Sequence, residues 1–595
     1  MRLGLWWKLG LREWPGYIPL IPLLANYDRR DFSHDLGAGL AVGVVTIPQA
    51  IAYAFLAGVP PEAGLYACLM PMVLYAIFGS SRQLVVGPVA VSALMVAAAV
   101  AEHAPKYSDA YLGITTVLCL QAGIILMLLR LSRMGGLVNL LSHPVITGFV
   151  NAAAILIIVS QLPSFTGIEA EDTSSPFSTL SGLLANINTV DVATLAFGAA
   201  ALVLLLLFRP LALIVLRLVV PTAESSHPLT RIGPMVAAIT AVVAVAVFGV
   251  EDKIAVVGFV PPGLPTLAAP PFDPELWLAL LPSAAIIAVV SYIESFSIGT
   301  TLAAKKQERV NPHQELIALG AANIGAAFTG AYPVAGSFSR SSVNYYAGAR
   351  TPVSSLVCAI LIVVALLFFT GLFALLPHAV LAAIVMVSVV GLMDLKSSRE
   401  HWSIYRHDTI TEIVTLVLVL FMGVEIGLIT GVLLSVAFFV RTSSRPNITQ
   451  VGRLGATEHF RSIKRYEVET LPHVLALRID ENIYFANATQ IENKLIKRVQ
   501  KRRGTRHLLV VCSSINMIDA TGLRMLHRLN QHLIQADVRL HLCDIKGPLM
   551  AQLNETDLLG ALSGDIYFNA DRAMRKFANE LDVSGRAPST ATSRE

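Results

Sequence analysis

The sequence predicts a polytopic α-helical membrane protein. It has fourteen spanning segments in a seven-plus-seven inverted repeat, followed by a smaller cytoplasmic α/β domain. Three observations predict it. Of 595 residues, 55% are hydrophobic and only 14% charged, with a mean hydropathy of +0.65; soluble domains carry about 25% charged residues. Apolar stretches of bilayer length recur between residues 36 and 441. Basic residues fall in alternate loops between those stretches, as they do when every second loop is cytoplasmic.

Residues 1–35 form a cytoplasmic arm that ends in a polar run, 26–35. Trp6, Trp7 and Trp14 stand among Arg2, Lys8 and Arg12, which suits either an interfacial anchor or an arm packed on the rest of the chain. No apolar core followed by a small-residue cleavage site opens the sequence, so no cleavable signal is expected. The transport domain is expected over 36–443, with candidate spans at 36–57, 62–79, 88–101, 110–130, 143–162, 191–216, 233–250, 276–302, 314–331, 338–347, 352–373, 377–393, 408–424 and 426–441. The third and tenth are too short to cross, and Gly or Pro introduces both. They hold the same place in each half, which marks a midplane site between two broken helices.

With the N-terminus cytoplasmic, the loops after even-numbered spans and the C-terminal end carry Arg82, Arg130, Arg133, Arg209, Arg217, Arg231, Lys305, Lys306, Arg309, Arg350, Lys396, Arg399, Arg406, Arg441 and Arg445. The opposite loops carry Lys106, Lys253 and the acidic run Glu169-Ala-Glu-Asp. A miscounted span would scramble this alternation. Asp408, Glu412 and Glu425 flank the last two spans and read as interfacial.

After Arg441 the composition becomes that of a soluble domain, 444–582. Val474–Arg478, His507–Cys512 and Val538–Cys543 read as buried strands, with amphipathic helices over Ala488–Lys501 and Thr521–Ile534 between them. Alternating strand and helix predicts a small α/β domain. The Ser/Thr/Ala/Pro-rich tail, 583–595, reads as disordered. The five cysteines lack paired spacing, and no nucleophile–base set, metal cluster or nucleotide loop stands in the sequence. Neither an enzyme nor a cofactor is expected, and a net charge of +4 gives no reason to expect nucleic acid.

Polar groups at membrane depth mark the chemistry. The run Tyr332-Pro-Val-Ala-Gly-Ser-Phe-Ser-Arg-Ser-Ser-Val-Asn344 cannot face lipid. An arginine at the bilayer centre costs about 3 kcal/mol on the insertion scale. Ser339 and Arg340 open the tenth element, where helix amides and a fixed guanidinium would hold an anion at any pH. Gly87-Pro-Val-Ala-Val-Ser92 opens the third, with Pro88 in the first helical turn. Gln49 and Tyr53 share one face of the first span; their alternative is a helix–helix hydrogen bond. In the eighth span Ser291, Glu294 and Ser295 share a face. An intramembrane acid such as Glu294 suits proton carriage, its alternative being an ion pair with Arg340.

At this point the residues match a family. Ile47-Pro-Gln-Ala-Ile-Ala-Tyr-Ala-Phe-Leu-Ala-Gly-Val-Pro-Pro-Glu-Ala-Gly-Leu-Tyr66, with Gly79-Ser-Ser-Arg82, Gly87-Pro-Val-Ala-Val91 and Gly336-Ser-Phe-Ser-Arg-Ser-Ser-Val-Asn344, closely resembles the SulP anion permeases, over nearly the whole chain. The resemblance implies a mobile core domain (segments 1–4 and 8–11), a gate domain (5–7 and 12–14), a cytoplasmic STAS domain and a homodimer. It implies anion contacts at Gln49, Tyr53, Val89, Ala90, Phe338, Ser339 and Arg340. Met517-Ile-Asp-Ala-Thr-Gly-Leu523 is similar to the loop phosphorylated in anti-anti-sigma factors, with Ala520 in place of its first hydroxyl residue. Thr521 is then the candidate phosphorylation site, and a helix N-cap by Asp519 or Thr521 is the alternative.

The expected function is secondary active transport of a small inorganic anion, sulfate by the family default, in symport with protons and by elevator-like alternating access. Bicarbonate and a C4-dicarboxylate are the rival substrates. Sodium-coupled bicarbonate carriers of the family resemble a pattern with Asp and, four residues on, Thr, where this chain has Glu294 and Ile298, which favours protons over sodium. A rival of another class is an anion-sensing signalling module acting through the STAS domain. The expected location is the bacterial inner membrane, with both termini cytoplasmic and a cytoplasmic protein partner for the STAS domain.

Overall fold

Inside lipid, backbone N–H and C=O groups must be satisfied within the chain, and apolar segments meet that need as helices. The structure is a computed structural model; it describes residues 18–25, 27–134, 142–168, 176–219, 228–394, 406–582 and 589–591. Trp6, Trp7, Trp14, Lys396 and Arg399 lie outside them, as does the tail apart from 589–591. The chain divides into two compact units, Met1–Leu433 and Leu434–Glu595.

In the first unit, α1 (Leu20–Ala25) and α2 (Arg29–Ala57) lead to α3 (Pro61–Tyr66) and α4 (Met70–Phe78), β1 (Val86–Gly87), α5 (Ala90–Val100) and α6 (Asp109–Leu131). Next come α7 (His143–Thr166), α8 (Pro176–Ala185), α9 (Val192–Val219) and α10 (Gly233–Phe248). The second half continues with α11 (Pro274–Lys305), α12 (Pro312–Phe328), β2 (Ala335–Gly336), α13 (Phe338–Tyr346), α14 (Val353–Phe368), α15 (Thr370–Phe373), α16 (His378–Val390), α17 (Arg406–Met422) and α18 (Val424–Ser443), the last of which runs past Leu433 into the second unit. Among the described residues, seven helices are long and apolar enough to cross a membrane, and four more are apolar but shorter.

Helix boundaries follow from local chemistry. Asp28 caps α2 by accepting the Asp31 amide at 2.7 Å. Gly58, at φ +79°, ends it in the left-handed conformation that glycine adopts without strain. Gly64 lets α3 lie directly on α2, because a Cβ there would stand 2.1 Å from the Ala50 carbonyl oxygen.

The packing repeats in symmetric sets. α6 packs on α12, and its counterpart in the other half, α14, packs on α4. Likewise α2 on α5 matches α11 on α13, α11 on α6 matches α2 on α14, and α9 on α16 matches α17 on α7. Each contact recurs seven segments later, which is the seven-plus-seven repeat expressed as packing. The first four segments of each half thus interleave into one bundle, and the last three of each half form another.

The second unit is a mixed sheet. It contains β3 (Ile448–Arg453), β4 (Phe460–Ser462), β5 (Val468–Thr470), β6 (Val474–Ile479), α19 (Ala488–Lys501), β7 (His507–Val511), α20 (Ala520–Gln535), β8 (Arg539–Cys543), α21 (Gly547–Asn554), α22 (Leu558–Ala561), β9 (Ile566–Tyr567), α23 (Ala570–Asp582) and β10 (Ser589–Ala591). The strand order is β10-β5-β3-β6-β7-β8-β9, with β4 on β3. β6 to β9 run parallel, and β3 joins β6 antiparallel. Leu508 and Val510 enter a core with α19 and α20, while Leu509 and Val511 enter a second core with α23. Covered faces on both sides explain why β7 reads as an unbroken apolar run. In the tail, β10 pairs antiparallel with β5.

Candidate functional site

Two extended pieces, one from each half, bring the broken helices together. β1 pairs antiparallel with β2, Val86 opposite Gly336 and Gly87 opposite Ala335. The Ser337 amide donates to the Val85 carbonyl at 3.0 Å, and the Val85 amide donates to Ser341 Oγ at 2.9 Å. α5 and α13 begin just beyond this pairing, so their amino ends lie side by side.

The expectation that Pro88 lies in the first helical turn is corrected. α5 begins at Ala90, with Val89 as an extended N-cap (φ −132°) and no side-chain cap. Pairing at Gly87 keeps the chain extended through Val89, so Pro88 stays outside the helix. Its carbonyl accepts a hydrogen bond from Arg340 Nη2 at 2.7 Å. On α13, Ser337 is the N-cap, its Oγ accepting the Arg340 amide at 3.5 Å.

Arg340 is 0% exposed. Beyond the bond to Pro88, its Nε and Nη1 have no protein partner. The guanidinium forms no ion pair with Glu294, although the two lie close enough to interact electrostatically. A Cβ at Gly87 would come 3.3 Å from Arg340 Nη2, so the glycine leaves room for the guanidinium behind β1. Val89 and Ala90 are buried at the α5 tip; Ser339 is half-buried and Phe338 is 42% exposed at the α13 tip.

Gln49 and Tyr53 are buried on α2. Gln49 Nε2 is 3.4 Å from Ser388 Oγ of α16, while its Oε1 has no protein partner. Ser291, Glu294 and Ser295 do not share one environment. Ser291 and Ser295 are buried toward the half-helices, whereas Glu294 is half-buried and lines a cavity of about 400 Å³ with Phe338, Ser297, His143 and Asp394. Glu294 Oε2 has no protein partner.

Residues 32–415 match the model of the sulfate permease family. The chain belongs to that family. Residues 465–573 match the STAS domain. Sulfate transporter 4.1 of Arabidopsis thaliana, a chloroplastic protein, is 36% identical over 521 residues, covering 86% of this chain and 74% of that one. A probable sulfate transporter of Mycobacterium tuberculosis is 32% identical over 566 residues, covering 94% and 98%. The murine solute carrier 26 family member A9 anion transporter, solved in its inward-facing state, has the same fold, with a TM-score of 0.87 at 23% identity over 95% of this chain and 94% of that one. The family makes this chain a multi-pass membrane transporter of anions and not an enzyme.

Within the family fold, two buried acids escaped the sequence reading. Glu315, 0% exposed, accepts from Tyr75 Oη at 2.7 Å, Ser80 N at 2.9 Å and Ser80 Oγ at 2.7 Å. Asp35, also 0% exposed, accepts from the amides of Arg350 at 2.8 Å and Thr351 at 3.0 Å, which ties the start of α2 to the loop after α13. Both stand at the start of an apolar run, where an acid reads as a helix-start residue. Ser388 lies in an apolar stretch without any other polar signal. Glu412 is 3% exposed, and its backbone packs against Gly148 of α7. Glu425 Oε1 accepts from Ser283 Oγ of α11.

In the STAS domain, Asp519 is the N-cap of α20, with Oδ1 accepting the Gly522 amide at 2.7 Å and Oδ2 accepting the Phe485 amide at 2.9 Å. Thr521 is exposed in the first turn of the same helix.

Proposed function

We propose that the chain moves sulfate across the membrane in symport with protons, holding the anion at the paired tips of α5 and α13. The observation that carries this reading is the β1–β2 pairing. Each tip offers unsatisfied amides and roughly half a positive charge, and the Arg340 guanidinium adds a full one beneath them. Two guanidinium nitrogens without protein partners are expected to find one, since buried polar groups are nearly always satisfied. The proposed contacts are Gln49, Tyr53, Val89, Ala90, Phe338, Ser339 and Arg340.

Sulfate, rather than bicarbonate or a C4-dicarboxylate, is favoured by relatives named as sulfate transporters at 36% and 32% identity. Glu294 is the proposed proton carrier: an ionisable group inside a span, beside the cavity and without an ion-pair partner. The division of helices into two bundles supports an elevator-like motion of one past the other. The protein is proposed to act as a homodimer in the bacterial inner membrane, with both termini and the STAS domain cytoplasmic. Thr521 is proposed as a modification site through which a cytoplasmic partner is controlled.

The test is uptake of radiolabelled sulfate by purified protein in proteoliposomes under imposed proton or sodium gradients, with bicarbonate and succinate as competitors. Accumulation driven by an inward proton gradient is expected. Uptake of bicarbonate or succinate in place of sulfate, or accumulation driven by sodium alone, would overturn the reading.

A further inference from the structure

Three serine hydroxyls tie α11 to both half-helices. Ser295 Oγ accepts the Gly336 amide at 2.7 Å and donates to the Ser291 carbonyl at 2.6 Å. Ser291 Oγ lies 3.3 Å from Ser92 Oγ of α5. All three serines are at most 2% exposed, so no water replaces a lost bond without cost. The approach is close: a Cβ at Gly336 would stand 3.1 Å from Ser295 Cα. Gly336 is paired to Val86 and directly precedes the N-cap of α13. Its amide therefore sets the pitch of the strand from which the α13 tip springs.

Glu294 is the residue before Ser295, and its carboxylate faces the cavity. One turn of α11 thus turns an ionisable group toward the cavity and holds the anion tips with its neighbours. The charged and titratable groups around Glu294 are Arg340 of α13 and Tyr53 of α2, with His143 of α7 and Asp394 after α16 across the cavity.

We infer that Ser295 is a positioning residue: through its bond to the Gly336 amide, the geometry of the half-helix tips follows the protonation of Glu294. The inference rests on the reading of Glu294 as the proton carrier and of the tips as the anion site. A carboxylate that gains or loses charge beside Arg340 changes the force on α11. Ser295 passes that displacement to β2, and so to the amides of the α13 tip. Nothing is transferred covalently; the proton stays on Glu294.

The experiment is hydrogen–deuterium exchange on the full-length protein in nanodiscs, without sulfate, at pH 5 and pH 8 after correction for intrinsic rates. It is paired with sulfate uptake across the same pH range. In the unmodified protein, protection of residues 334–341 is expected to change about threefold or more between the two pH values. Ser295→Ala is expected to raise exchange there about tenfold, for loss of one buried acceptor, and to abolish the pH response. Glu294→Gln is expected to abolish the pH response and keep the protection. Ser295→Thr, which keeps the hydroxyl, is expected to restore both. Thr301→Ala is the control, since that hydroxyl bonds only within its own helix. Equal protection of 334–341 in Ser295→Ala and the unmodified protein, or an unaltered pH response in that variant, would overturn the inference. The expected exchange pattern in a protein that takes up no sulfate supports the inference and overturns the substrate reading alone.

Discussion

Arg340 Nη2 donates to the Pro88 carbonyl at 2.7 Å, binding the second half-helix to the residue that follows the strand of the first half. One side chain thus both charges the site and clamps its two tips together.

Arg340→Ala is therefore expected to weaken sulfate binding by at least about 30-fold, the loss of a charge-assisted contact worth roughly 2 kcal/mol or more. Isothermal titration of the purified protein measures it. Arg340→Lys is expected to recover little, because an ammonium cannot hold Pro88 and still present two further fixed donors. Affinity preserved in Arg340→Ala would remove the guanidinium from the site.

Glu294→Gln keeps the shape and removes the titration. Accumulation driven by a proton gradient is expected to vanish, while sulfate–sulfate exchange in counterflow continues. Proton-driven accumulation that survives in this variant would assign coupling to another group.

Gly64 sits where α3 meets α2, and a methyl group there would collide with the Ala50 carbonyl oxygen. Gly64→Ala is expected to cost about 1–3 kcal/mol through overpacking. The readout is a lower melting temperature and a smaller monodisperse fraction in detergent. An unchanged melting temperature would show that the two helices can separate freely at this point.

The STAS domain holds a proton-sensitive pair. His541 Nδ1 accepts the Asp565 amide at 2.8 Å, so its proton sits on Nε2, which faces His507 Nδ1 at 3.1 Å. Burial is the main cause that pushes His541 down to about 4, and it lowers His507 too. Arg539, Asp565 and Lys576 surround the first; Glu580, His473, Arg506 and Arg539 surround the second. Groups held neutral in the folded state give stability that is fully present above the ordinary histidine pKa and is lost as pH falls below it. The domain, which has cores of its own on both sheet faces, is expected to lose on the order of 2 kcal/mol between about pH 6.5 and 4. Urea melts of residues 444–595 measure this, and His541→Gln should flatten the dependence.

At the α20 start, Asp519→Ala is expected to cost about 1 kcal/mol through loss of the N-cap. Thr521→Ala should stay within about 0.5 kcal/mol, as exposed substitutions do. The same urea melts separate the two. A large loss in Thr521→Ala would give that residue a structural part that its exposure does not suggest.

Much of this architecture could be read from the residues because it rests on local rules. Bilayer-length runs, alternating loop charge and the polar break at 332–344 pointed to the helices and to the tenth element directly. The run at Ala488–Lys501 carried the helical period, and the unbroken apolar run at His507–Cys512 marked a strand covered on both faces. What escaped depends on partners far away in sequence. Pro88 leaves the helix because Gly87 pairs with Ala335, and Glu315 is buried because Tyr75 and Ser80 reach it. Ser291 lies above both Glu294 and Ser295 by spacing, but those two point about 100° apart on the helix, so one reaches a cavity and the other a strand that the sequence does not show.

The two-stranded sheet between the half-helices consists of two residue pairs, and each half of the chain supplies one strand. Val86 finds Gly336 only after about 250 further residues have been made, on the order of ten seconds or more of translation. Until then the strand of the first half has no partner. If the paired tips are the anion site proposed above, neither half holds an anion alone, and a chain stalled before residue 335 lacks the second strand and the second tip of that site.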